Sequence, residues 1–413
     1  MKVTMENKPN SSSTSNTSGR LKFDVVIIGA STSGLYAAVQ LSRAGKRVAV
    51  FDRKRKLNYL RRTLIVTSEV SEILPQLPSV AAPHKTGTLR LQALGSTRMV
   101  SLQKPDLIVE RSQIALWLLS QSKAAGAQIC SGYRFSGFEV VEKSVRVVFN
   151  SPSGKEAVEV TDAIIGSDGI NSKVGQIASI SPPPLVSIVQ AEVRLPLGWN
   201  SNVTQVWFDA EDTQFFYWLV PESNSRGVVG LIANSGVQAR RLLASFLKRH
   251  NLKAEAYQAA KVALYHPRLK PWKKIGGCPV LMVGDAAGQV KNTTVGGTVT
   301  GIRGAEAAVQ SILNGTSYAS ELRSLKRELN LHWLIRLMLN RLDNHGYCVL
   351  VNALSGRLKE FLSRNGRDSM SSVFWFLPFV EPRLLRMLPI CFCGKSRFFS
   401  RTRNSTDSQP IVY

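Results

Sequence analysis

The stretch Phe23–Asp52, FDVVIIGASTSGLYAAVQLSRAGKRVAVFD, admits few folds. Val25–Ile28 is an unbroken apolar run, the composition of a parallel strand buried on both faces. Gly29 ends it with a tight turn. Gly34 opens a helix in which Leu35, Ala38, Leu41 and Ala44 recur at helical spacing. Gly45 closes that helix, and Arg47–Phe51 reads as the next strand. Strand, glycine turn, helix and strand form the context that a dinucleotide-binding turn requires. Backbone N–H groups at the helix start, aided by the helix dipole, attract a pyrophosphate. Gly34 allows the helix to pack closely on the strand. Asp52 ends the second strand, where a carboxylate can accept hydrogen bonds from ribose hydroxyls. Ser31 stands at the middle glycine of G-x-G-x-x-G, adding a small side chain whose hydroxyl can itself donate to a phosphate oxygen.

The 413 residues suffice for two or three domains and a sizeable core. Lysine and arginine exceed aspartate and glutamate by 53 to 28, a formal net charge of +25. Such a chain is drawn to anionic surfaces. No zinc-finger or other nucleic-acid signature accompanies the charge, so lipid headgroups or an acidic electron donor rank above nucleic acid, and no nucleic acid is expected. The cysteines, Cys130, Cys278, Cys348, Cys391 and Cys393, are scattered and odd in number, which opposes a disulfide framework. Cys391 and Cys393 lack a second pair, so no metal is expected, and a reducing cytoplasm is. Residues 1–20 are rich in Ser, Asn and Thr without an apolar centre, the composition of a disordered tail rather than a signal peptide or anchor.

Further along, RKRKLNYLRR reads as a solvated basic loop, with Arg53 placed to help with phosphate or adenine. Thr63–Leu107, broken by Pro75, Pro78 and Pro83, reads as an insertion of two strands and a short helix. A helix follows within Val109–Ile129, with Arg111 just before it and Gly126 stopping it. Phe135–Phe149 alternates as strand does, and Ser151–Lys155 is a turn. Ala163–Ile165 is a short buried strand running into Gly166-Ser167-Asp168-Gly169. After the boundary at Pro182–Pro184, Leu185–Ala233 is β-rich and reads as an antiparallel sheet with one covered face. Gln238–Gln258 is expected to be helical. Pro279–Val283 is another apolar strand, followed by Asp285, a glycine-rich loop and a long helix over Gly301–Leu313, a third anion-facing turn. Leu325–Phe399 reads as helical, apolar and basic.

Three separated elements agree with one another: GASTSG with Asp52, the Arg111 helix with SDGINSKV, and VGDAAG with VGGTVTG. Together they resemble the flavoprotein family that includes para-hydroxybenzoate hydroxylase and the geranylgeranyl reductases, over most of residues 23–315. The resemblance implies FAD as cofactor. It implies that Ser33 and Gly34 cover the pyrophosphate, with Gly29 and Ser31 also cofactor-binding, that Asp52 holds the adenosine ribose, and that Arg111 reaches the phosphates. It places Asp168 in the second cofactor-facing turn, Asp285 at the ribityl region, and Gly297 and Thr298 beside the isoalloxazine ring, with Gly284 and Gly296 also cofactor-binding. The implied fold is α/β: a Rossmann-type FAD-binding domain, an antiparallel-sheet substrate domain and a C-terminal helical region. The FAD-binding domain is expected in three parts, 21–75, 108–181 and 276–320. Residues 76–107 and 182–275 are expected to form the substrate domain, and 321–413 the C-terminal region.

Two details select a branch. Aromatic hydroxylases carry histidine after the aspartate-alanine-alanine of the third motif, whereas this chain has Gly288. VKNTTVGG and FYWLVPES resemble the corresponding loop and aromatic strand of geranylgeranyl reductases. In the strand Trp218 and Pro221 match; Phe216 and Val220 depart, Asn292 replaces a proline, and RRTLIV stands where a cysteine-glycine pair is often found. The resemblance implies a reductase that saturates C=C bonds of isoprenoid chains of lipids, with Phe216 and Trp218 lining an apolar substrate tunnel and Phe215 beside them. No general acid stands out. A flavin-dependent monooxygenase or halogenase, and a non-catalytic lipid-binding relative, remain as alternatives. NAD(P)H or ferredoxin would supply electrons. Val373–Phe392 is nearly long enough to span a bilayer, but Glu381, Arg383 and Arg386 sit at its middle. Interfacial docking on an anionic membrane surface is expected, so the protein is placed in the cytoplasm with peripheral membrane association.

Overall fold

Val25–Ile28 lies at the centre of an eight-stranded sheet in the computed structural model, which describes residues 22–141, 144–354, 356–364, 367–368 and 370. Lys22–Ile28 pairs in parallel with Val48–Asp52 on one side and with Gly154–Gly166 on the other. Gln128–Ser131 and Cys278–Met282 extend the parallel set, and Trp272–Ile275 closes one edge as a hairpin strand. Successive residues of the central strand face different cores. Val25 and Ile27 meet the helices Thr32–Arg43 and Thr298–Asn314; Val26 and Ile28 meet the layer formed by Arg134–Val141 and Ser144–Ser151. This two-sided burial is why the run is continuously apolar rather than alternating. Leu35 and Leu41 are fully buried, each contributing about 1.5–3 kcal/mol of transfer free energy.

The second sheet also has eight strands, in the order Ala254–Ala263, Leu185–Arg194, Arg226–Ala233, Tyr217–Pro221, Val203–Phe208, His84–Ala93, Ser96–Glu110 and Thr63–Val66. All its pairings are antiparallel except that of Val203–Phe208 with His84–Ala93. The helix Gly236–Arg249 covers one face through Leu243 and Phe246. This helix is shorter than the expected Gln238–Gln258. Asn251 takes a positive φ of 51°, and Ala254–Ala263 leaves as an edge strand beside Leu185–Arg194. Its alanines and polar residues have helix-forming composition, but the pairing with a neighbouring strand outweighs that weak preference.

The helices Arg323–Leu339, Asn344–Ala353 and Gly356–Arg364 follow. The architecture is α/β, with a Rossmann-type domain, an antiparallel-rich second sheet and a C-terminal helical region. Among the described residues, no helix is long and apolar enough to cross a membrane. Val373–Phe392 lies outside the described residues.

Candidate active site

The glycine turn after the first strand is built as its sequence requires. Gly29 has φ 103°, and a Cβ there would stand 2.5 Å from the Ser167 carbonyl oxygen. A Cβ on Gly34 would meet the Gly29 carbonyl oxygen at 2.6 Å and collide with the Ser167 hydroxyl. Only glycine therefore lets this helix start touch both turns. Ser31 caps the helix: its hydroxyl accepts from Gly34 N at 3.2 Å. Thr32 and Ser33 follow in the first turn, where N–H groups precede the intrahelical ladder, and both line a cavity of about 440 Å3. Asp52 braces the turn from behind, accepting from Ala30 N and Lys54 N, both at 2.9 Å. A carboxylate has further lone pairs for hydroxyl donors.

The second turn is held by Asp168. Its carboxylate accepts from the Ser172 hydroxyl at 2.6 Å and from Lys173 N and Val174 N at 2.7 and 3.1 Å. Ser167 and Gly169, on either side, line the cavity. The third turn contributes Gly284, with φ 64°, and Asp285. Ser33 packs between Gly284 and Gly301: a Cβ on either would approach its hydroxyl to 2.8 or 2.9 Å. Gly297 caps the long helix Thr298–Asn314, and its missing Cβ leaves Asp285 Oδ1 only 3.5 Å from the empty position.

Charge is concentrated where these turns meet. Arg62, Arg111 and Asp285 all line the cavity. Burial raises the Asp285 carboxyl, and the Arg111 and Arg62 guanidiniums pull it back. Burial, then the like charge of Arg111, lowers Arg62 to about 10, against the attraction of Asp285. Two guanidiniums lining one cavity with helix-start residues can attract an anion, which would relieve their repulsion. Arg62 was not evident in the sequence because it ends a basic run that otherwise looks solvated. Its signal is the strand Thr63–Val66 that follows, whose pairing with Ser96–Glu110 carries Arg62 to Arg111: Arg111 N donates to Arg62 O at 3.0 Å.

The apolar part of the remaining wall comes mainly from the second sheet, while Gln190, Thr204, Lys291, Thr293 and Asp368 add polar groups to it. Trp218 and Val220 of the strand Tyr217–Pro221 and Phe216 just before it line the cavity, while Tyr217 stacks on Phe246 on the opposite face at 4.3 Å. Phe216 and Trp218 meet edge to face at 6.0 Å. Trp218 lies over Gly230, where any side chain would clash with its ring. Leu89, Leu91 and Val206 continue this wall. Phe215 instead lies under Arg336, whose guanidinium is 4.5 Å from the ring centroid. Arg336 is buried and donates to the carbonyl oxygens of Asn292, Thr293 and Gln214 at 3.0, 2.7 and 2.8 Å, tying the glycine-rich loop to the aromatic strand. Burial lowers Arg336, with Tyr347 opposing.

The structure therefore brings Ser31, Ser33, Arg111, Gly284, Asp285, Gly296, Gly297, Thr298, Phe216 and Trp218 to one cavity. Gly29, Gly34, Asp52 and Asp168 lie behind it as turn-formers. Arg53 is exposed and does not line it. The glycine cradles, the paired guanidiniums and the volume fit a dinucleotide with a ring system at its far end. Among the described residues, no group of three His, Cys, Asp or Glu side chains is arranged to hold a metal.

The family described as "FAD binding domain" matches residues 22–322. Digeranylgeranylglycerophospholipid reductase 2 of Methanopyrus kandleri is 27% identical over 329 residues, covering 73% of this chain and 81% of that protein. The "Probable electron transfer flavoprotein-quinone oxidoreductase" of Escherichia coli is 25% identical over 363 residues, covering 77% and 83%. Among solved structures, a geranylgeranyl bacteriochlorophyll reductase-like protein from Thermoplasma acidophilum superposes with a TM-score of 0.75 at 16% identity, over 90% of this chain and all of that one.

Proposed function

The chain belongs to the FAD binding domain family, is an FAD-dependent oxidoreductase, and from that premise we propose that it saturates C=C bonds in the isoprenoid chain of a lipid. The observation that carries this reading is the continuity of the cavity. It runs from the paired guanidiniums and glycine turns to the apolar wall of Phe216, Trp218, Leu89, Leu91 and Val206. Bound and reduced, FAD supplies a hydride. The chain's own residues do the rest. Arg62 and Arg111 hold the pyrophosphate; Asp285 accepts from hydroxyls of the ribityl region. The start of the helix after Gly297 stabilises negative charge on the ring. The aromatic wall orients an unreactive hydrocarbon chain and excludes water. Electrons come from a nicotinamide or from an acidic ferredoxin, the latter suited to the basic surface.

Under anaerobic conditions, the chemically reduced holoprotein is expected to convert a geranylgeranylated phospholipid into products heavier by two hydrogens per bond, read by mass spectrometry. Flavin reoxidation without saturation, or faster turnover of a long-chain quinone, would replace this reading with another electron acceptor.

Lipid access is part of the same proposal. Val373–Phe392 combines aromatic and leucine residues with Arg383 and Arg386. Each cation near an anionic surface contributes about 1 kcal/mol. A protein ending after Met370 is expected to bind anionic vesicles at least about tenfold more weakly than the full chain in co-sedimentation. The cut falls after Met370 so that Arg367 keeps its pair with Asp106 at 2.7 Å and Asp368 its pair with buried Lys291. Equal binding by both forms would move the contact elsewhere; binding that resists high salt and alkaline carbonate would mean insertion.

A further inference from the structure

The glycine-rich loop carries a polar contact that neither cofactor binding nor the aromatic wall requires. Thr293 lines the cavity, and its hydroxyl lies 2.6 Å from His332 Nδ1. The other ring nitrogen, Nε2, stands 3.2 Å from Glu328 Oε1, one helical turn earlier. This is an ion-pair approach rather than a formed hydrogen bond. His332 is 1% exposed and Glu328 3%. Burying a carboxylate is costly unless it meets donors or positive charge. Met370 N donates to Glu328 Oε1 at 2.9 Å, the same oxygen that His332 Nε2 approaches. Arg336, one turn after His332, binds the carbonyls of both Thr293 and Gln214. Thr293 is therefore tied through Arg336 to the start of the aromatic strand and lines the same cavity as Phe216 and Trp218, where the hydrocarbon chain would lie.

We propose that Thr293, backed by His332 and Glu328, delivers the proton that completes saturation; this rests on the reductase reading above. The alkene accepts a hydride at one carbon from the reduced cofactor. Its other carbon takes the Thr293 hydroxyl proton as His332 Nδ1–H replaces it, so the hydride pair forms one C–H bond and the broken π bond's pair, with the proton, forms the other. The imidazole is left neutral, with its Nε2 proton toward Glu328, and is recharged by one proton from solvent. Threonine passes the proton on without becoming an alkoxide, which its weak acidity would forbid. Thr293 touches the substrate; His332 and Glu328 act through it.

The test uses the full FAD-loaded chain. Thr293→Val is expected to keep its flavin content and anaerobic reduction but to lose about 100-fold in the rate of saturation, while Thr293→Ser stays near wild type. A structural pin would not give that split. In histidine-labelled protein, the proton resonance of His332 Nδ1 is expected downfield in wild type and Thr293→Ser and absent in Thr293→Val, with or without FAD. If Thr293→Val fails to hold FAD, wild type and Thr293→Ser still decide. Two protons in flight require a curved dependence of rate on the deuterium content of the solvent, and a linear or flat dependence overturns the relay. A wild type that saturates nothing ends the reading and the relay together. An active wild type beside an equally active Thr293→Val ends the relay alone.

Discussion

Asp368→Asn is expected to lower stability by about 3–5 kcal/mol in urea unfolding, because it leaves the Lys291 ammonium buried without its carboxylate. The two side chains are 7% and 1% exposed. Asp368 also accepts from the Thr67 hydroxyl at 2.6 Å, so the variant disturbs two side-chain contacts of one cavity wall, while the bond from Arg303 to the Asp368 backbone carbonyl at 2.7 Å stays. Lys291→Met with Asp368→Leu removes both charges and is expected to recover most of the loss, since an apolar pair of similar volume replaces a buried ion pair at little cost. Equal instability of the single and double variants would show that packing, not the charge, is at stake. The pair also sets an acid limit. Burial alone would raise the Asp368 carboxyl, but Lys291, with Thr67, outweighs burial and holds it below the ordinary carboxylate value. A carboxyl lowered on folding contributes stability that is present above its unfolded value and is lost as pH falls through the folded one. Unfolding midpoints of the wild type are therefore expected to fall in that acidic window, and those of the double variant to fall less.

Gly288→His is expected to cost about 2–5 kcal/mol and most of the bound FAD. The substitution restores the histidine that aromatic hydroxylases carry after this aspartate-alanine-alanine motif. The position does not accept it. Gly288 has φ 66°, a left-handed conformation that strains any L side chain. A Cβ would stand 2.9 Å from Pro183 Cβ and 3.1 Å from the Leu264 carbonyl oxygen, so neighbouring backbone must move. Asp285, three residues earlier, accepts a backbone bond from Gly288 N at 3.1 Å and would move with it. Thermal unfolding and the flavin absorbance of the purified variant measure both effects. A variant as stable and as yellow as wild type would mean that the turn adapts freely. Gly288→Ala separates the causes, since it adds the Cβ without the ring.

The sequence by itself determined the parts of this protein that neighbours in the chain encode. Val25–Ile28 could only be a strand covered on both faces, Gly29 and Gly34 only a turn and a close approach, and Asp285 before a glycine-rich loop only a turn leading to a helix start. Hydrophobic period, turn chemistry and capping act over a few residues, so they survive in a one-dimensional reading. The alternation of Phe216, Trp218 and Val220 against Tyr217 belongs to the same class. What only the tertiary structure decided depends on partners far apart in sequence. Arg62 faces the cavity because Thr63–Val66 pairs with Ser96–Glu110. Ala254–Ala263 is a strand because Leu185–Arg194 lies beside it. Lys291 finds Asp368 across 77 positions, and Thr293 finds His332 across 39. No local pattern marks these side chains, because a buried charge or imidazole has the same neighbours in sequence as a solvated one. Its role is set by the low-dielectric surroundings and the partner that folding brings to it.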